Sequence, residues 1–241
     1  MADYTGPRYP GGPDSLRALV YRSTRQAGAA PAGHALVQFE LMPDGKPTKY
    51  TIVRPPDPIS KPLVDATALA LNYLEGHMLA WQPAPPNPDA KPGDKFSRVS
   101  LVLDFAVLPT AQVYEYAEQN PVFGTLTQLL PERQRSYLQQ LAADPEKRAR
   151  FQSSVRGLVA FCQMQVRYPP AALRAHEQGT GYASFEVAEN GVIEHPEILG
   201  SVGPALDKEI LRVLPAASAP AHLHGQPVRV RYVLPLTFKI M

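Results

Sequence analysis

The chain has 241 residues, 44% hydrophobic and 19% charged, a balance that suits a folded globular protein and excludes a fibrous repeat or a disordered charged tail. Its 24 Lys and Arg against 22 Asp and Glu leave a net charge of +2, too little to argue for a nucleic-acid or anionic-membrane surface. Proline is high at 27 residues, but with 16 Gly the total stays below the roughly 25–30% where disorder is expected, so the prolines punctuate folded elements.

The first clear element runs from Ala35 to Leu41, where Ala35, Val37, Phe39 and Leu41 alternate with Gln38 and Glu40. Alternation of period two predicts a half-buried strand. Asp44-Gly45 follows, a strong hairpin signal because both central residues of a type I′ turn need positive φ, and Thr48 to Val53 reads as the returning strand. Leu63, Ala66, Ala70 and Tyr73 then share one face of an amphipathic helix. Gln82 to Pro92 reads as an ordered or extended proline-rich loop, and Val99, Leu101, Leu103 and Phe105 alternate along a closing strand.

The middle of the chain changes to helical periodicity. Pro131 and Pro145 stand where first-turn prolines belong, and Phe151, Val155, Leu158 and Cys162 recur at helical spacing. The basic residues among Glu132 and Glu146 read as a solvated helix face.

The first pattern then returns. Ala183, Phe185 and Val187 alternate with Ser184 and Glu186, and Asn190-Gly191 stands 146 positions after Asp44-Gly45. Val192 to Leu199 returns from that turn, Leu206, Ile210 and Val213 face one side of a short helix, and Val230, Tyr232, Leu234, Leu236 and Phe238 form the last strand. Two copies of one hairpin, helix and strand pattern are therefore expected.

The second copy resembles a known family. Tyr168-Pro169, Ala172-Leu173-Arg174, Gly181, the strand through Phe185 and Val187, Gly191-Val192, the helix Leu206 to Leu214 and a strand ending at Phe238 look like the C-terminal domain of TonB energy transducers. Val113 to Phe123 resembles the region preceding this domain in TonB-like proteins of Bacteroidetes, and Tyr9-Pro10-Gly11-Gly12 with Leu16 and Leu19 resembles the same lead-in before the first copy. The expected fold is α+β: two tandem TonB C-terminal-like units, residues 1–108 and 109–241, each a small antiparallel sheet with helices on one face.

The resemblance implies a periplasmic, non-enzymatic protein-binding module, its signal or anchor absent from this chain. It would capture an extended peptide, such as that of an outer-membrane TonB-dependent receptor, by strand addition to unpaired backbone groups. The expected peptide-binding residues are Val228, Arg229, Val230, Arg231, Tyr232, Val233 and Leu234, with Tyr168 and Pro169; Arg98, Ser100 and Val102 hold the same place in the first copy. Pro235 fits an edge, since a residue without an N–H is tolerated there. The alternative is a self-associating scaffold whose edge strands pair with each other, within the chain or in a homodimer.

Other chemistry finds little support. No apolar run reaches the roughly 18 residues of a membrane helix, and Met1 to Gly12 has neither a basic nor an apolar signal region, so no export signal is expected. His222 and His224 are too few for a zinc site, and Cys162 reads as a buried, inert thiol. There is no nucleophile elbow, phosphate-cradling glycine loop or carboxylate pair, so no catalytic residue, metal or cofactor is expected. Tyr114, Tyr116 and Tyr137 lie on different elements and read as core aromatics rather than a nucleic-acid platform.

Overall fold

Local signals account for most elements of the computed structural model, which describes residues 2–27, 32–53, 60–84, 97–106, 112–123, 143–145, 155–215 and 218–240. The expected helix start at Pro131, the basic stretch through Arg150, Phe151, Tyr137 and most of the Gln82 to Pro92 loop lie outside these residues. The described chain divides into two compact units, Thr5–Glu115 and Met1–Tyr4 with Tyr116–Met241. In chain order the strands are β1 (Ala2–Asp3), β2 (His34–Leu41), β3 (Pro47–Ile52), β4 (Ser97–Asp104), β5 (Val113–Tyr114), β6 (Gln119–Asn120), β7 (Gly179–Val187), β8 (Ile193–Gly200), β9 (Ala221–Leu223) and β10 (Gln226–Phe238). The helices are α1 (Gly12–Thr24), α2 (Lys61–His77), α3 (Val155–Gln165), α4 (Pro170–Arg174) and α5 (Pro204–Arg212).

In the N-terminal unit β3, β2 and β4 form an antiparallel sheet in that order. α1 begins with a proline in its first turn and Asp14 against the positive end of its dipole, and it buries Leu16, Leu19, Val20 and Ser23. α2 also starts on a proline and buries Ala66, Thr67, Ala70 and Leu74. Leu74, rather than the expected Tyr73, thus completes its inner face. Small residues let this helix approach closely, while Leu16, Phe39, Leu101, Leu103 and Phe105 fill the core. Leu36 and Val102, opposite each other on the other face of the sheet, are buried as well.

In the C-terminal unit the strands run in the order β1-β6-β9-β10-β7-β8, with antiparallel pairing throughout. Its core gathers Leu158 and Cys162 of α3, Leu206 and Ile210 of α5, and Ala183, Phe185, Leu234 and Leu236 of the central strands. The rings of Phe185 and Tyr232 stack at 5.8 Å, and Phe123 meets both edge-on.

The two sheets share one geometry. Each β2–β4 pair, from His34↔Asp104 to Leu41↔Ser97, has a counterpart from Thr180↔Thr237 to Val187↔Val230 in β7–β10. Both hairpins carry a bulge at the same place, between Gln38 and Glu40 and between Ser184 and Glu186. Gly45 and Gly191 both have φ 82°, and the non-glycine residues Lys49 and His195 both turn left-handed at 54° and 50°. The turn glycines serve a further contact: Trp81 N–H donates to Gly45 O (2.8 Å) and Ser218 N–H to Gly191 O (2.9 Å). Ser218 thus stands where Trp81 stands.

Candidate functional site

Alternation places Arg229 and Arg231 on the face of β10 opposite Val230 and Tyr232, as expected, but they are not loose surface cations. Register sets Arg231 across from Glu186, and Arg231 Nη2 lies 2.8 Å from Glu186 Oε1. Arg229 Nη1 lies 3.1 Å from Glu186 Oε2 and 2.5 Å from Glu194 Oε2, and Nη2 is 3.4 Å from Glu189. His195 Nδ1 approaches the same carboxylate at 3.1 Å. Burial pushes the Glu186 carboxyl up, but the bonds from Arg231, His195 and Arg229 outweigh it and hold the group below its ordinary value.

The N-terminal unit has the same arrangement in a wetter setting. Glu40 receives Lys49 at 2.8 Å and Arg98 at 3.4 Å, but the Arg98 side chain is 61% exposed where that of Arg231 is 8% exposed.

Strand capture depends on backbone direction rather than on faces. Phe105 N–H donates to Gly33 O (3.0 Å), and directions alternate along an antiparallel strand, so the N–H and C=O groups of Arg98, Ser100 and Val102 point away from β2. Among the described residues no other strand pairs with β4. Its side chains are held in place: Gln38 Nε2 donates to Ser100 Oγ (2.9 Å), and Val102 is buried.

The corresponding rim of β10 is interrupted, which corrects the expectation that Val228 to Leu234 form an exposed edge. β10 lies between β9 and β7 in the sheet order. The His224-Gly225 turn, with φ 51° and 77°, folds β9 back so that Ala221 faces Val228, while Val230 to Leu234 face Val187 to Ala183. Thr237 is capped by a side chain: Gln163 Nε2 donates to its carbonyl (2.8 Å), and its N–H donates to Gln163 Oε1 (3.2 Å). Thr237 therefore points away from β7, as does Pro235 two residues earlier, which has no N–H to offer. The side chains of Val230, Tyr232 and Leu234 are buried core. Arg229, Val233 and Val228 are half-buried.

Tyr168 and Pro169 stand apart from that stretch. The Tyr168 hydroxyl donates to the Glu177 carbonyl, its ring meets Phe238 edge-on at 6.1 Å, and Pro169 caps α4. Both anchor the segment leading into β7. Cys162 is fully buried, donates to Val213 O (3.2 Å), and has its thiol pushed up to about 12 by desolvation. Among the described residues no group of three or more His, Cys, Asp or Glu is placed to hold a metal, and no helix is long and apolar enough to cross a membrane.

β9 was not anticipated from the sequence, which showed no element between the helix of Leu206, Ile210 and Val213 and the last strand. The signal was His224-Gly225, a two-residue turn with glycine second, hidden by the shortness of the strand before it.

Residues 164–240 match the family described as the Gram-negative bacterial TonB protein C-terminal. This stretch, from the end of α3 through β10, is a TonB C-terminal-like domain, and its helices and antiparallel sheet are of the expected α+β class. No curated protein and no solved structure matches the chain.

Proposed function

We propose that the chain is a non-enzymatic periplasmic protein-binding module of TonB type, with the N-terminal unit a second copy of the same fold. It captures an extended peptide of a partner, such as an outer-membrane receptor, by strand addition along β4. Shared register, bulges and left-handed positions support the second copy. The periplasmic assignment and the receptor partner rest on the likeness of residues 164–240 to the TonB C-terminal family.

The observation that carries the seat is the outward backbone of Arg98, Ser100 and Val102, which offers donors and acceptors with no proline among them. An added strand satisfies these groups, and main-chain hydrogen bonds supply affinity. The scaffold alternative needs rims that pair with each other. β3 and β8, the outer strands on the far side of each sheet, are poorly suited to this, because each carries a proline (Pro47, Pro196), a bulge and charged side chains.

A peptide bearing a receptor-type energy-coupling motif, titrated into the 15N-labelled chain, is expected to move the amide signals of Arg98, Ser100 and Val102. Unchanged signals at millimolar peptide overturn the proposal. Ser100→Pro removes an outward donor and the Gln38 Nε2 bond to Ser100 Oγ but no backbone hydrogen bond to β2, so capture is expected to weaken about fivefold while the sheet survives. Equal affinity puts the contact elsewhere.

A further inference from the structure

The C-terminal unit ends its sheet with a strand from far away in the chain. Ala2 and Asp3 pair with Asn120 and Gln119 of β6, and Tyr4 N–H donates to Glu118 O (2.9 Å). The Tyr4 ring stacks on Tyr116 at 4.7 Å and 24°, over a rim where Tyr116 and Asn120 are buried. Residues up to Tyr4 belong with Tyr116–Met241, whereas Thr5 already belongs to the other unit.

We infer that the outer rim of β6 is a strand-accepting site, held in cis by residues 2–4 and open in trans to an extended peptide that presents an aromatic side chain to Tyr116. The internal occupant is short. It pairs through a two-residue ladder, with the Tyr4 N–H bond and ring stack beside it, and its tether keeps the segment at high local concentration. The tyrosine supplies the recognition: residues two apart on a strand share a face, so Ala2 and Tyr4 lie together, and a diagonal aromatic pair across strands is favoured. The fitting ligand is therefore an extended segment with a small residue two positions before an aromatic one. This rim is distinct from β4 and reads out on different amides, so the failure of either leaves the other standing.

The test uses the full 15N-labelled chain carrying Tyr4→Ala, which loosens the internal strand. The probe is an acetylated, amidated hexapeptide with the sequence Met-Ala-Asp-Tyr-Thr-Gly, and the control has alanine in place of its tyrosine. The variant is expected to shift the Gln119 and Asn120 amides, and millimolar probe to return them towards their wild-type positions. The control should bind about fivefold more weakly, the worth of one aromatic stack. Equal response to both peptides, or none to either, overturns the inference. Should the variant misfold, amide exchange in the unaltered chain decides: Tyr4 is expected to exchange at least about tenfold faster than Val230, and equal protection overturns the inference.

Discussion

Glu186 organises one face of the second sheet, because three cationic or protonatable side chains converge on its carboxylate. Its removal takes from the buried Arg231 the carboxylate across from it and from Arg229 one of three, so Glu186→Ala is expected to lower the unfolding free energy by about 3 kcal/mol in urea titrations. The pH dependence follows from the lowered carboxyl. With a folded value below the ordinary 4.5, its contribution is complete above that pH and is lost as pH falls through the folded value. Glu186→Gln should therefore flatten the acid side of the stability profile, measured by urea midpoints between pH 5 and 3. Cys162 gives a second residue-level expectation. A fully buried thiol pushed up to about 12 reacts with iodoacetamide at pH 8 only as fast as the unit opens, so labelling should accelerate in step with added urea. Alternation alone read the faces of Arg229 and Arg231 correctly, but it could not find Glu186. That pairing depends on register between strands 45 residues apart, and register is a tertiary property.

The hairpins are the elements most legible in the chain, since Asp44-Gly45 and Asn190-Gly191 mark both turns. Only the glycines are left-handed, however, so the turns are not the expected type I′: Gly45 N–H donates to Met42 O and Gly191 N–H to Ala188 O, each closing a four-residue turn with glycine in last place. What the dipeptides do not reveal is the second duty of each glycine. A Cβ on Gly191 would sit 2.0 Å from Ser218 O, whereas one on Gly225 would meet nothing within 4 Å, although both have strongly positive φ. Gly225→Ala should cost about 1 kcal/mol, the strain of a left-handed alanine, and Gly191→Ala about 2 kcal/mol or more, because the approaching backbone must also retreat. Urea midpoints of the two variants check the ordering, and equal losses would contradict it. The rims were harder to anticipate. Pro235 points outward as an edge residue should, yet β9 and Gln163 close the strand on either side of it, and a three-residue strand and one glutamine carry almost no periodic signal.

At the scale of the whole molecule, the repeated hairpin, helix and strand pattern was visible because its turn dipeptides and alternation recur in order. The added strands β1, β6 and β9 were not, since two or three residues cannot establish a period. Light scattering should return a mass near 26.4 kDa at every concentration, because prolines, bulges and charges blunt β3 and β8. A doubled mass with protected β4 amides would favour the scaffold reading. The matched spacing carries one more consequence. Corresponding residues lie 146 apart throughout the hairpins but 133 apart in the closing strands, so the whole difference of thirteen residues falls between the hairpin and the closing strand. A single lost residue inside either ladder would turn every following side chain inside out, whereas the connector tolerates any length that still reaches. The two units thus differ in length only outside the ladders that join each hairpin to its closing strand.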